Sequence, residues 1–366
     1  MMQENAIPCH GRPVLTVDLK KLQENYQRTR ELCQRHNIHM TGVIKGCSAL
    51  PECIKVADKA GCDFLANSRL SHLQRCRDLQ VRTPLMLLRT PAVSQLDKVV
   101  QLADVSLESD IDVLCALNGE AMEAGVIHQV ILMVELGDLR EGFWKQEELL
   151  QAAMLTEFQL KNLKLLGIGT NLGCYGSIVP TLEKLTELLD AVKMIEKSIG
   201  RKLEYISGGA TTSLQRLLDD TMPEKINHLR IGDGILTAFR GRQTLDFLHK
   251  DVFRLTAELI EVREKPSYPM GVIGEDAYGF TQEYEDKGLR LRGILAVGKA
   301  DYSYPELLFA EDKGVTILGA SSDHTLVDLT DSNREWLVGD TMSFGLGYGA
   351  LVPLTSNSGE IEIRYR

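Results

Sequence analysis

QVILMVEL (129–136) is the clearest strand in the chain. It is a nearly unbroken run of aliphatic residues, too short for a helix and too apolar for a strand with one wet face. A strand buried on both faces belongs in a parallel sheet covered by helices. Similar runs lie on either side of it. Upstream are HMTGVIK (39–45), DFLAN (63–67), LMLLR (85–89) and the weaker VSLES (105–109). Downstream are LKLLGIGTNL (163–172), EYISGGA (204–210) and NHLRIGDG (227–234). Helical patterns separate them. The first, over 17–36, carries Leu19, Leu22, Tyr26 and Leu32 at helical spacing. Pro51 suits the first turn of the next helix, and Ser68 is placed to cap the third.

Eight strands alternating with helices predict an α/β fold of the (β/α)8, TIM-type barrel kind. A doubly wound open sheet is the rival, but it would show fewer strands and a glycine-rich turn after the first. No GxGxxG occurs in the chain. The pattern changes near residue 248. FRLTAELIEVRE (253–264), LRLRGILAVGKADY (289–302), GVTILGA (314–320), HTLVDLT (324–330) and GEIEIRYR (359–366) read as strands separated by Gly, Pro and Asp turns, with no good helix between them. The expected division is a barrel over 14–247 and a mainly β domain over 248–366, with room for residues 1–13 to pack against the latter.

The chain has 366 residues and a net charge of −10. That argues against nucleic acid and anionic membrane as partners, since both need a net basic surface. No run approaches a spanning helix, and the start, MMQENAIPCHGRP, lacks a signal-peptide core. Eight cysteines occur, none after Cys174 and none in a CxxC pair. Reduced thiols and a cytoplasmic location follow as expectations. His36 and His39 have no companion ligands at suitable spacing, so no metal site is expected.

In such a barrel the reactive groups come from the carboxyl ends of several strands. Lys45 ends the first. Arg140 follows the fifth, in ELGDLREG, and Asn171 ends the sixth. Alone, Lys45 reads more readily as a solvated strand terminus, since most lysines are surface residues, than as a desolvated amine of lowered pKa. Arg140 reads as well as a surface or carboxylate-paired arginine. The small-residue turns SGGATTS (207–213) and RIGDG (230–234) follow adjacent strands, where N–H groups and hydroxyls can surround a phosphate. Two such turns facing a lysine point to a cofactor bearing a phosphate and an aldehyde.

Several segments carry a resemblance: VIKG (43–46), VELGDLREGFW (134–144), GIGTNLGCYG (167–176), SGGATTSL (207–214), HLRIGDGI (228–235), GEDAYGF (274–280), ILGASSDHTLVD (317–328) and GDTMSFGLGYGAL (339–351). In this order they resemble the alanine/ornithine racemases, fold-type III pyridoxal-phosphate enzymes, over nearly the whole chain. TNLGCYG, SGG and GASSDH bring it nearest the ornithine branch.

The resemblance implies pyridoxal 5′-phosphate as cofactor and racemisation of an amino acid, ornithine or another basic one. Lys45 would be the Schiff-base lysine and one of two bases. Arg230 would face the pyridine nitrogen. Ser207, Gly208, Gly209, Thr211, Gly232, Asp233 and Tyr348 would surround the phosphate, and Asn171 would stand at the sixth strand. Arg140 would sit near the phenolic oxygen or the substrate carboxylate. Tyr278 best matches the second base, with Asp276 and His324 as rivals. Ser322 and Asp323 match the segment that meets the substrate carboxylate. Ala49 stands where alanine racemases have a tyrosine, leaving room for a longer side chain. Asp276, Glu275, Asp138 and Glu135 are the acids that can meet a terminal ammonium. A homodimer with shared sites is implied. A cofactor carrier without catalysis, or a lyase such as an aldolase of the same fold class, are the alternative functions.

Overall fold

The computed structural model describes residues 11–241, 243–277, 279–356 and 359–366. A short strand, β1 (Val14–Val17), opens the chain, and α1 (Leu19–Arg35) follows. Helices and strands then alternate: β2 (His39–Val43), α2 (Pro51–Lys59), β3 (Phe64–Asn67), α3 (Leu70–Asp78), β4 (Leu85–Leu87), α4 (Leu96–Leu102), β5 (Val105–Glu108) and α5 (Ile111–Glu123). The second half continues with β6 (His128–Val134), α6 (Gln146–Phe158), β7 (Leu163–Thr170), α7 (Leu182–Ile199), β8 (Tyr205–Ser207), α8 (Leu214–Leu218), β9 (His228–Ile231) and α9 (Asp233–Thr237). β2 through β9 close into a parallel barrel, β9 pairing back onto β2 with Thr41 opposite Arg230.

The chain divides into two compact units. Leu19–Lys250 form the barrel unit; the residues up to Asp18, with Asp251–Arg366, form the other. Within the barrel, strand alternation separates two environments. Val43, Phe64, Ala66, Met86, Val105, Leu107, Ile131, Met133 and Leu166 pack as one apolar cluster. The other face of each strand meets the helices. α7 shows why they pack there. Leu185, Leu188, Ala191, Val192, Ile195 and Ile199 form a buried stripe, Thr181 caps its start, and Gly200 ends it in the left-handed region.

A short ribbon, β10 (Phe239–Arg240) with β11 (Gln243–Thr244), closes the barrel unit. The second unit is built on β12 (Phe253–Pro266), followed by β13 (Leu289–Leu295), α10 (Lys299–Tyr302), β14 (Leu308–Ala310), β15 (Thr316–Ala320), β16 (Thr325–Asp328), β17 (Thr341–Leu346), α11 (Tyr348–Ser356) and β18 (Glu362–Tyr365). The strand order is β14-β17-β12-β13-β16-β15, and β1 joins β12 to β18. Phe253, Leu255, Ala257 and Leu259 of β12 alternate into its core.

The sequence reading departs from the structure at several places. The first barrel strand ends at Val43, so Lys45 stands in the turn after it. Ser68 does not cap α3; the Asn67 side chain accepts from the Ser68 and Arg69 N–H groups instead. The strand expected over 289–302 stops at Leu295, because Asp301 accepts from the Gly298 N–H and turns the chain into α10. α11 forms despite Pro353, which reads as a helix breaker. β1, β14 and β17 were not expected as strands; their pairings lie far off in sequence.

Ser106 and Glu108 alternate with Val105 and Leu107 and so point out of the barrel toward the helices. Glu108 is fully buried. Its Oε1 accepts from the Ser106 hydroxyl at 2.5 Å, that hydroxyl also meets Nε2 of His128 at 2.9 Å, and Oε2 has no partner among the described residues. Burial pushes the Glu108 carboxyl up to about 8, against the Ser106 hydrogen bond. Burial also lowers His128, to about 4. The unfolded chain releases the Glu108 proton near the ordinary carboxylate range, whereas the folded chain keeps it to about 8. Stability from this group is therefore full at low pH and is lost as pH rises through that window, at about 1.4 kcal/mol per unit. Glu108→Gln should remove this loss. Its melting temperature relative to the parent should rise steadily from pH 5 to pH 8 in calorimetry; parallel curves would contradict the assignment.

Candidate active site

The turn after β2 fixes Lys45. Ile44 N–H donates to the Ala66 carbonyl at 3.0 Å, Ser48 N–H to the Lys45 carbonyl at 3.1 Å, and Ala49 N–H to the Ile44 carbonyl at 3.2 Å. Arg75 Nη1 donates to the carbonyls of Ser48 and Ala49, each at 3.1 Å. Ser48 and Ala49 are both held at positive φ, 46° and 52°. Two consecutive non-glycine residues in that region are sterically costly, so the turn persists through its bonds and Arg75. The Lys45 amine is largely buried. Burial lowers its pKa, and so do the nearby charges of Arg140 and Arg230, while Cys174 and Glu141 oppose the shift.

Arg230, on β9, is buried. Its Nη1 donates to the Ser207 hydroxyl and its Nη2 to the Thr170 carbonyl, the latter at 2.7 Å. Ser207 also meets Nδ1 of His228 at 2.8 Å, and Nε2 of His228 meets the Thr41 hydroxyl at 2.7 Å. A polar layer thus crosses β2, β8 and β9. Room for it comes from Gly169, where a Cβ would stand 2.8 Å from the Ser207 Cβ and 3.3 Å from Arg230 Nη1. Burial lowers Arg230 to about 10, offset by the Glu141 charge and reinforced by Arg140. The guanidinium is still protonated at neutral pH. Burial, with Arg230 nearby, drives His228 well below its ordinary value, so this imidazole is neutral.

Thr211 ties the two small-residue turns together. Its Oγ1 accepts from the N–H groups of Gly232 and Gly234 at 3.4 and 3.2 Å. At Gly232 a Cβ would meet the Val43 Cβ at 2.9 Å, and Gly208 and Gly209 are similarly crowded by Ile226 and Ser213. Asp233 is half-buried and receives the Thr237 hydroxyl at 2.6 Å. Burial raises its pKa to about 6, against the Thr237 bond and the Lys45 charge.

Two carboxylates build the loops that carry Arg140 and Asn171. Glu135 Oε1 accepts from the N–H groups of Gly137 and Leu139, and its Oε2 from that of Arg140 at 3.0 Å. Asp138, fully buried, reaches across to the next loop. Its Oδ1 accepts from the N–H groups of Gly173, Cys174 and Ile178 at 3.1, 3.2 and 3.3 Å, and its Oδ2 from Tyr175 at 3.0 Å. Arg140 then donates to Cys174 Sγ at 2.7 Å and, through Nε and Nη2, to the two Glu141 oxygens. The Asn171 amide, with its oxygen toward the guanidinium, accepts from both terminal nitrogens of Arg140. Burial works against the Arg140 charge, but Glu141 and Cys174 outweigh it and raise its pKa.

The structure therefore brings together Lys45, Arg140, Asn171, Ser207, Thr211, Arg230, Gly232 and Asp233 in the barrel unit. Asp276, Ser322, Asp323, His324 and Tyr348 belong to the other unit. There Asp276 accepts from the Phe280 N–H at 2.9 Å, the Ser322 carbonyl accepts from Ala300 N–H at 2.9 Å, and Tyr348 begins α11. Tyr278 lies outside the described residues. Glu141 and Cys174 were not singled out from the sequence, although both stand in quoted motifs beside Arg140 and Asn171. Asp138 and Glu135, read as receptors for a substrate ammonium, are occupied by backbone donors.

Residues 17–238 match the family model described as alanine racemase, N-terminal domain. The chain is 39% identical over 345 residues to the ornithine racemase of Acetoanaerobium sticklandii, covering 93% of this chain and 96% of that one. It is 37% identical over 342 residues to the lysine racemase of Thermotoga maritima, covering 93% and 95%. An alanine racemase structure from Streptomyces lavendulae shares the fold, with a TM-score of 0.74, 16% identity and 97% of each chain covered. The chain belongs to the alanine/ornithine racemase family of fold-type III enzymes. It is a pyridoxal-phosphate-dependent amino-acid racemase.

The residues present fit that cofactor. Lys45 offers a largely buried amine of lowered proton affinity. The described partners of Arg230 are a hydroxyl and a carbonyl, so its buried charge lacks a direct counter-ion. Lys45, Arg140 and Arg230 together suit a phosphate dianion and an unprotonated ring nitrogen. Among the described residues no group of three or more His, Cys, Asp or Glu is placed to hold a metal, and no helix is long and apolar enough to cross a membrane.

The Asp138 clasp is testable. Asp138→Ala strips the acceptor from buried N–H groups, each worth about 1–3 kcal/mol when left unpaired. Urea unfolding should show a loss of about 3 kcal/mol or more. Asp138→Asn, which keeps one acceptor oxygen, should lose clearly less; equal losses would contradict the clasp.

Proposed function

We propose that the chain interconverts the enantiomers of ornithine or a related basic amino acid by exchanging the Cα proton between two bases. The observation that carries this reading is the Lys45 amine, largely buried and lowered in pKa between Arg140 and Arg230. Burial and the neighbouring guanidinium charges disfavour its ammonium form, which suits the amine to accept a proton. Pyridoxal 5′-phosphate, when bound, supplies the electron withdrawal that makes the Cα–H bond of an attached amino acid breakable. Lys45 then takes or returns the proton on one face. Arg230 presents a permanent donor to the ring nitrogen, and Ser207 and Thr170 hold that donor in place. Arg140, steadied by Asn171 and the Asp138 clasp, orients the substrate carboxylate or the phenolic oxygen. Thr211 and the turns at 207–213 and 230–234 take the phosphate.

For the opposite face we assign Tyr278, over Asp276 and His324, since racemisation needs a second base there. The basic substrate is supported by the names of the two relatives, an ornithine and a lysine racemase. Ala49, in the turn after Lys45, is fully buried, and we read its small side chain as the concession to a longer substrate. We further propose a homodimer with shared sites. The arm between β12 and β13 supports this: Met270 is 91% exposed and Phe280 64%, with Val272 and Tyr284 also outward. Several exposed large apolar residues on one segment suit an interaction surface.

The test is a panel of L-ornithine, L-lysine and L-alanine with the holoenzyme in deuterated water. Loss of optical rotation with deuterium at Cα is expected, fastest for the diamino acids. Lys45→Ala should fall by at least about 100-fold; a variant still racemising at the parent rate would overturn the mechanism. Sedimentation should give a dimer, and an active monomer would remove the shared-site reading.

A further inference from the structure

We propose that Glu141 selects substrates with a cationic side chain by receiving their distal ammonium. This deepens the function proposed above and rests on it. The mouth holds Lys45, Arg140 and Arg230, and a diamino acid brings one more positive charge into it. A distal ammonium in a partly desolvated site is costly unless a carboxylate meets it.

The acids of the barrel unit near these cations differ in what they have left to offer. Glu135 spends both oxygens on backbone N–H groups, as does Asp138, which is fully buried. Asp233 is half-buried, and its carboxylate is bound to the Thr237 hydroxyl. Glu141 is different. Its side chain is 19% exposed, and its described partner is the Arg140 guanidinium, which takes one position on each oxygen. An ionised carboxylate has about four lone-pair sites, so two remain for an ammonium while the Arg140 pair persists. Glu141 is tied to Arg140, whose guanidinium also meets Cys174 and Asn171 of the loop after β7, so its carboxylate stands at the carboxyl ends of the barrel strands.

The backbone holds Glu141 firmly. Phe143 N–H donates to the Met133 carbonyl at 2.8 Å, and Glu135 N–H donates to the Phe143 carbonyl at 3.2 Å. Gly142 lies between at φ +142°, where a Cβ would stand 2.5 Å from the Glu135 nitrogen. The loop is pinned to β6 directly after Glu141, so the carboxylate has a fixed base and a reach set by its own side chain. That is the arrangement a length-sensitive ammonium receptor requires.

The experiment compares the holoenzyme with Glu141→Gln on L-ornithine and on L-norvaline, which has the same carbon chain without the ammonium. Glu141→Gln should lose about 10- to 100-fold more in kcat/KM for ornithine than for norvaline, chiefly through KM. Glu141→Asp should fall between parent and Gln. Equal losses on both substrates would mean that Glu141 serves only to position Arg140, and the proposal would fail. No loss on ornithine would overturn it as well. A parent enzyme that racemises neither substrate would instead refute the function on which this inference rests. Calorimetric binding of ornithine, with melting temperatures of each variant, separates lost recognition from lost folding.

Discussion

Three cations crowd a partly dehydrated mouth, and much of the barrel unit can be read as the means of keeping them there. Like charges in low-dielectric surroundings repel strongly, and each also loses hydration. Each of the three is accommodated differently. Arg230 is bound by a hydroxyl and a carbonyl, which satisfy donors without cancelling charge. Arg140 is paired with Glu141. Lys45 yields part of its affinity for a proton. Only the lysine can respond in this way, because a guanidinium does not deprotonate near neutral pH. Burial and the charge of the two arginines together loosen the proton of the third cation.

Keeping the mouth in shape falls to carboxylates that touch no cation. Asp138 gathers backbone N–H groups from the loop after β7, and Glu135 gathers them from its own loop. A buried carboxylate is expensive unless several donors meet it, and here the donors come from loops that would otherwise leave those N–H groups unpaired. Charge and backbone stabilise each other. Acids lying close to a site are thus not all candidates for its substrate; those whose lone pairs are already filled belong to the scaffold.

The sequence made some of this legible and hid the rest for physical reasons. The barrel strands were readable because residues buried on both faces leave unbroken apolar runs, as in QVILMVEL. Lys45, Arg140, Arg230 and the small-residue turns were readable because barrels place chemistry at strand ends. The role of Asp138 was not. Its partners lie 35 to 40 residues away, and a backbone N–H leaves no mark in the sequence. β1 was hidden for a similar reason, since VLTV runs straight into a helical pattern and becomes a strand only by pairing with β12 and β18. α11 was hidden by Pro353, whose local preference is overridden in the folded unit.

Alternation along the barrel strands keeps two kinds of buried titratable group apart. Ser207, His228 and Arg230 stand in the polar layer that crosses β2, β8 and β9, while Ser106, Glu108 and His128 face the helices. Both histidines are neutral through burial. A charged His228 would add a further cation beside Arg230 and raise the repulsion that the mouth already bears. Its neutrality is thus a condition for the arginine's charge, and Thr41 and Ser207 supply the hydrogen bonds that let the imidazole stay uncharged without being unsatisfied. The Glu108 carboxyl on the outer face carries no such duty. Its protonation bears on stability, and the period of two along a β-strand separates it from the layer that holds His228 and Arg230.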